Sequence, residues 1–313
     1  MSARPSDHIW ALVSGLPSGE RERRLFMVLQ GWVDVSGNEP QGGPVIVFGG
    51  FVAPYEMWSE FADEWDKELA REPKLEYFKM SEANSLNGEF HRRRGWNEEL
   101  RDERVLRFAR IIPKYARIRV SAWLRHQDWI DHIVSIPAPV RRLSVDHPYG
   151  QLFMQIILAT AAFQDTHALT GPCDFIFDEE LTFSDEVMQW WPQVKDWIRQ
   201  NGRSDLIKFL GSPPIFRNEK AFKPLQAADL YAWQVRNRYL ESRQAPRNQV
   251  LQMLWPIGAI NREVSTAEII RLREHLLEAG KRFIEDNPNV TLLPPIEDKK
   301  ERQRAHRAAR QRG

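Results

Sequence analysis

The sequence predicts an α/β fold: a mixed five-stranded sheet flanked by helices, with a helical insertion. Three observations carry this. Two β-rich runs early in the chain are separated by a turn signal, as in a hairpin. From residue 117 onward, short apolar runs alternate with helix-length segments. Apolar residues make up 42% of the 313 and charged residues 28%, a globular composition with enough chain to bury a sizeable core.

The elements follow in order. Residues 1–24 read as a polar lead-in, and 25–290 as the folded body. Leu25 to Gly37 is rich in β-formers and predicts the first strand. Glu39-Pro-Gln-Gly-Gly-Pro44 is a turn, and Val45 to Ala53 the second strand. Gly49-Gly50 within it implies a bulge or a close backbone approach; the pair lacks the spacing and lysine of a phosphate-binding loop. Residues 54–112 read as the insertion. Trp58, Phe61, Trp65 and Leu69 recur at helical spacing, an irregular stretch runs from Phe78 to Phe90, and Asn97 to Ile112 is amphipathic. Arg117 to Leu124 alternates at period two, a third strand. Tyr149 to Leu169 is apolar nearly all round, as a buried helix is.

Cys173 to Glu179 predicts a fourth strand ending in acids. Ser184 can cap a helix that Pro192 should kink or restart. Leu206-Ile-Lys-Phe-Leu210 reads as the fifth strand. Pro224 suits the first turn of a helix reaching Ser242, and a last helix spans about Thr266 to Asp286. Residues 291–313 form a basic tail. Lys299 to Gly313 holds seven Lys or Arg and one acid, +6, which leaves −5 on the rest of the chain. A net charge of +1 argues against a protein that coats nucleic acid with its whole surface. One cysteine, Cys173, excludes an intramolecular disulfide framework. Neither a targeting segment nor a transmembrane run stands out, so a cytoplasmic setting without membrane is expected.

Three carboxylates stand out by position. Asp34 ends the first strand and shares a face with Trp32; Asp178 ends the fourth and shares a face with Ile176. Asp229 borders the apolar stripe of the helix Leu225-Gln-Ala-Ala-Asp-Leu-Tyr-Ala-Trp233, where small neighbours leave room for close packing. A carboxylate that near a buried face needs a partner. Taken singly, a strand-end Asp is ordinarily a turn residue, and Asp229 can pair with Arg236 or Arg238. Taken together, acids converging from two strands and a helix suit a hard divalent cation such as Mg²⁺.

Val33-Asp-Val-Ser-Gly37, Val47-Phe-Gly-Gly-Phe-Val-Ala-Pro54 and Leu225-Gln-Ala-Ala-Asp-Leu-Tyr-Ala232 resemble the bacterial and archaeal family known as domain of unknown function 3800. That family shows an Asp-Glu-Ser motif on its first strand and Gln-x-x-Asp near its end, and is regarded as ribonuclease-H-like in fold. Asp34 and Ser36 match the first motif, Gln226 and Asp229 the second; the resemblance covers about residues 25–245. It implies a metal-dependent nuclease. Asp34, Asp178 and Asp229 would hold two Mg²⁺ or Mn²⁺ ions about 4 Å apart. Glu179 would be a reserve ligand, and Gln226, Lys79 and Ser36 would meet the nucleic acid. Val35 stands where the family has Glu. If that Glu is a ligand or base, the chain is instead a nucleic-acid-binding module that has lost catalysis. Strand alternation puts residue 35 on the face opposite Asp34, which favours tolerance.

Other clusters carry less. Lys79 and Glu82 lie in a loop that either lines a site or is simply solvated. His91-Arg-Arg-Arg94, followed by Trp96, is a basic patch able to meet phosphates, though a solvated surface is the default. His126, Asp128, Asp131 and His132 look like an exposed helix start rather than a zinc site. Cys173 reads as a small buried apolar residue.

Overall fold

The computed structural model describes residues 4–14, 29–37, 43–137, 140, 147–167, 169–179, 184–240 and 248–287. The basic tail, the turn at 39–42 and residues 15–28 lie outside them. The chain divides into two compact units, one of residues 1–124 and 149–263, the other of residues 125–148 and 264–313.

In the larger unit the elements are α1 (Pro5–Ser14), β1 (Leu29–Ser36), β2 (Val45–Pro54), α2 (Tyr55–Leu69), α3 (Met80–Ser85), α4 (Glu98–Tyr115), β3 (Ile118–Arg125), α5 (Pro148–Thr166), β4 (Cys173–Asp178), α6 (Ser184–Gln200), β5 (Ile215–Arg217), α7 (Lys223–Leu240), α8 (Gln249–Met253) and β6 (Gly258–Glu263). The sheet order is β5-β4-β1-β2-β3-β6. β1 pairs antiparallel with β2 and parallel with β4; β4–β5 and β3–β6 are parallel. The architecture is thus α/β, an open mixed sheet with helices on both faces.

The sheet has six strands, not five, and the fifth is not where the sequence places it. Leu206–Leu210 is apolar, but Ser204–Phe209 is a 3₁₀ turn, and only Leu210 makes a single bridge to Cys173. The strand forms at Ile215–Arg217, directly after Pro213-Pro214. α6 runs through Pro192 without restarting, because Trp190, Trp191, Val194 and Ile198 hold it down along one side. The lead-in is not wholly polar surface: α1 packs on α2 and buries Ile9 completely.

The two sheet faces are covered differently. On one, Phe48 and Phe177 meet Tyr149 and Phe153 of α5, which in turn meets Trp190 and Trp191 of α6. On the other, Trp32 and Phe51 join α2, α4 and α7 in a core holding Trp58, Phe61, Trp65, Phe78 and Phe108. Trp65 and Phe108 rings lie 4.4 Å apart, and Phe78 stands edge-on to both. Phe51 reaches Tyr231 of α7 at 5.0 Å. Most of the twelve Trp are therefore core anchors, each removing a large apolar area from water.

In the smaller unit the main element is α9 (Thr266–Asp286), started by a capping box in which Ser265 and Glu268 satisfy each other's backbone N–H. Residues 126–134 are helical and dock on it: Arg273 Nη1 donates to His132 O at 2.7 Å, and the Thr266 hydroxyl to Asp128 at 2.7 Å. Asp128, through its side chain, and His132, through its backbone carbonyl, thus join this segment to α9. Among the described residues no helix is long and apolar enough to cross a membrane.

Candidate functional site

The parallel register of β1 and β4 pairs Trp32 with Ile176 and Val33 with Phe177. Asp34 and Asp178 follow directly after the last of these pairs, and the charge of Asp178 acts on Asp34. Both side chains share the Trp32 face. Across the other edge of β1, Asp34 pairs with Gly49 of β2. A Cβ on Gly49 would stand 2.7 Å from Ala232 Cα, so only glycine lets α7 settle onto the sheet here. The pairing of β1 with β2 is unbroken through Gly49 and Gly50, so the glycine pair serves close approach and not a bulge. Asp229 lies one turn before Ala232 on the same side of α7, and is brought to the acids by that contact. Its Oδ2 accepts the backbone N–H of Met80 at 2.6 Å.

A fourth acid joins them. Glu219, between β5 and α7, is 3% exposed, and Lys79 Nζ pairs with its Oε1. Asp34, Asp178 and Asp229 are 4–8% exposed. Burial, then the charges of Asp229 and Glu219, push the Asp34 carboxyl well above its ordinary range, with Asp178 adding to the effect. Burial and Asp229 push Glu219 up to about 7 against the pull of Lys79. Burial pushes Asp229 up to about 6, opposed by the Met80 N–H and by Lys79. The charge of Arg236, two turns along α7, acts on Asp229 as well. The four carboxylates share one electrostatic environment that carries more acid than base.

An all-oxygen set of buried acids suits a hard divalent cation, which would offset both the burial and the mutual repulsion of these carboxylates. As they stand the acids are not drawn in around a point: among the described residues no three His, Cys, Asp or Glu form a ready ligand group.

The other sequence candidates fall as follows. Ser36 is buried on the Asp34 face, two residues beyond it and paired with Val47. Lys79 stands at the site, but as the partner of Glu219. Gln226 cannot meet a substrate. It is fully buried, its Oε1 accepts from Trp65 Nε1 at 2.8 Å and Phe78 N at 3.1 Å, and its Nε2 donates to Glu219 O at 2.9 Å. It is a clamp that holds the Glu219 and Lys79 segments together. Glu179 is exposed, accepts from Asn218 Nδ2 at 2.7 Å and alternates to the opposite side from Asp178; the structure does not bring it to the other acids. Val35 pairs with Phe48 and points to the α5 face.

Glu82 accepts from Tyr77 and from Glu89 N, and so builds the loop. Arg92 pairs with Glu98 and Arg94 with Glu89, which neutralises much of the basic patch, and Trp96 is buried against Arg104. Cys173 is buried, and burial raises its thiol pKa. No family model, no curated protein and no solved structure matches the chain.

Proposed function

We propose that this protein is a metal-dependent nuclease of ribonuclease-H-like fold, related to the domain of unknown function 3800 family. The observation that supports the reading is that Asp34, Asp178 and Asp229, from two parallel strands and one helix, are buried within electrostatic reach of one another in an environment that carries more acid than base. The central β1, with an antiparallel neighbour on one side and a parallel one on the other, accords with that fold; β6 is an addition at the edge.

In this reading Asp34, Asp178 and Asp229 hold Mg²⁺ or Mn²⁺, with Glu219 in the place given to Glu179. The metal would supply charge stabilisation of the phosphoryl oxygens and a water acidic enough to ionise near neutral pH. The chain's own groups do the rest. Glu219, paired with Lys79, would add an oxygen ligand. Lys79 Nζ supplies a positive charge beside the phosphate. Gln226 positions Glu219 through its backbone carbonyl. A Glu at position 35 would face Phe48, not the acids, so Val35 removes no group from the site; this favours the enzyme over the inactive binding module.

The test is cleavage of labelled single- and double-stranded DNA and RNA with Mg²⁺, Mn²⁺ or chelator. Wild type should cut only with metal, and Asp34→Asn or Asp229→Asn should lose at least 100-fold while remaining folded. A wild type that neither cuts any of the four nor binds Mn²⁺ overturns the reading.

A further inference from the structure

A cavity of about 280 Å³ opens between α7, α8 and the β3–β6 edge of the sheet, and none of the four acids lines it. Its walls are aromatic and cationic. Trp123, Tyr231, Tyr239 and Trp255 supply the rings; Arg119 and Arg238 supply the charge. Trp123 and Tyr239 lie with ring centres 5.7 Å apart. Ser121 Oγ donates to Asn261 Oδ1 at 2.9 Å on the floor.

Three features call for a ligand. Trp255 is 66% exposed, in a protein that otherwise buries most of its Trp. Arg119 is half-buried and Arg238 exposed, and neither forms an ion pair among the described residues. Finally, no acid among the described residues lines the cavity. The nearest along β6 is Glu263, exposed and cross-strand from Trp123. Two unopposed guanidinium groups select an anion, and planar forks suit phosphate oxygens. Flat aromatic faces at the same opening select a flat ring. The volume is at the small end of ligand pockets, roughly 300 Å³, enough for a single unit and not for a duplex.

We infer that this pocket binds one nucleotide, its base stacked against Trp255 and the Trp123–Tyr239 pair and its phosphate held by Arg119 and Arg238. The nucleotide is either free or one unit of a single strand, and the chemistry of recognition is the same. The inference does not require the acid site to cleave anything.

The experiment is run on the full chain with chelator present throughout, so metal-dependent cleavage plays no part in the readout. Anisotropy of labelled single-stranded hexanucleotides of RNA and DNA reports strand binding; calorimetry with AMP and UMP reports free nucleotide; inorganic phosphate is the control. Trp255→Ala and Arg238→Ala alter exposed side chains, and circular dichroism checks their folding. Each should weaken binding about tenfold, the loss of one base stack or one phosphate contact; Trp255→Phe should recover most of it. Binding of mononucleotides alone assigns the pocket to a free nucleotide, and tighter binding of the hexamers assigns it to a strand. The proposal is overturned if wild type binds neither, if both alanine variants bind as wild type does, or if phosphate binds as well as AMP.

Discussion

Asp34 and Val35 are neighbours in the chain, yet they face two differently built sides of one sheet. Behind Val35, the Phe48, Phe153 and Phe177 rings pack against α5 and α6 and remove apolar surface from water. Around Asp34 the same kind of aromatic core gives way, at the strand end, to four buried carboxylates, and burial, with the charges of the neighbouring acids, raises the pKa values of Asp34, Glu219 and Asp229. One face adds stability; the tip of the other subtracts it. A sheet carries both because side chains alternate, so a residue can be chosen for chemistry without disturbing the packing of the next.

The largest test of this contrast is a pair of opposite signs. Phe177→Ala should lower unfolding free energy by about 3–5 kcal/mol in urea titrations. Asp34→Asn, without metal at pH 8, should raise it, because it removes a buried charge that burial and the neighbouring acids disfavour. An Asp34→Asn protein less stable than wild type under those conditions would break the contrast. Gly49→Val comes next. Its side chain meets the Ala232 backbone, so α7 must lift from the sheet. We expect a loss of about 3 kcal/mol together with loss of metal-dependent cleavage. Retained activity would mean that the acids do not depend on this contact.

The pH response is a smaller effect with a definite sign. Glu219 and Asp229 have folded pKa values of about 7 and 6 against ordinary values of 4.5 and 3.8. Between pH 4 and 7 the folded chain therefore binds more protons than the unfolded one. Metal-free stability from these groups falls as pH rises through that window and levels off above about pH 7. Glu219→Gln should flatten the fall, and Mn²⁺ should stabilise more at pH 8 than at pH 5; thermal melts measure both. The smallest expected effect is that of Val35→Glu, about 1 kcal/mol of stability with cleavage within about threefold of wild type. A large gain in cleavage would place residue 35 functionally on the acid face.

Four strands, the hairpin and all the longer helices after residue 54 are legible, some from apolar residues at period 2 or 3.6 and others from β-rich or continuous apolar runs bounded by turn signals. β5 was not, since three residues after Pro213-Pro214 are too few to show a period, while Leu206–Leu210 imitates a strand without enough length to pair as one. β6 was silent because it is nearly all exposed and has no apolar alternation. Within the site, Asp34, Asp178 and Asp229 were visible as acids at strand ends and beside small helix residues. Glu219 was missed: between Asn218 and Lys220 it looks like any solvated charge, and only the fold buries it. Gln226 was seen but misjudged, because sequence alone does not reveal that three hydrogen bonds already occupy its amide.

The stretch from Leu75 to Met80 is mostly irregular, yet its backbone is not left to solvent. The N–H of Glu76 is bonded to Glu89, that of Phe78 to Gln226 and that of Met80 to Asp229. Amide deuterium uptake should therefore be slow across a segment that secondary structure would mark as fast. The Met80 amide is distinctive because its acceptor titrates at about 6. As Asp229 takes up a proton its hold on that N–H weakens, so the exchange rate of Met80, corrected for intrinsic chemistry, should rise below pH 6 relative to that of Phe78, whose acceptor does not titrate. One backbone hydrogen thus becomes a built-in probe of the charge on Asp229.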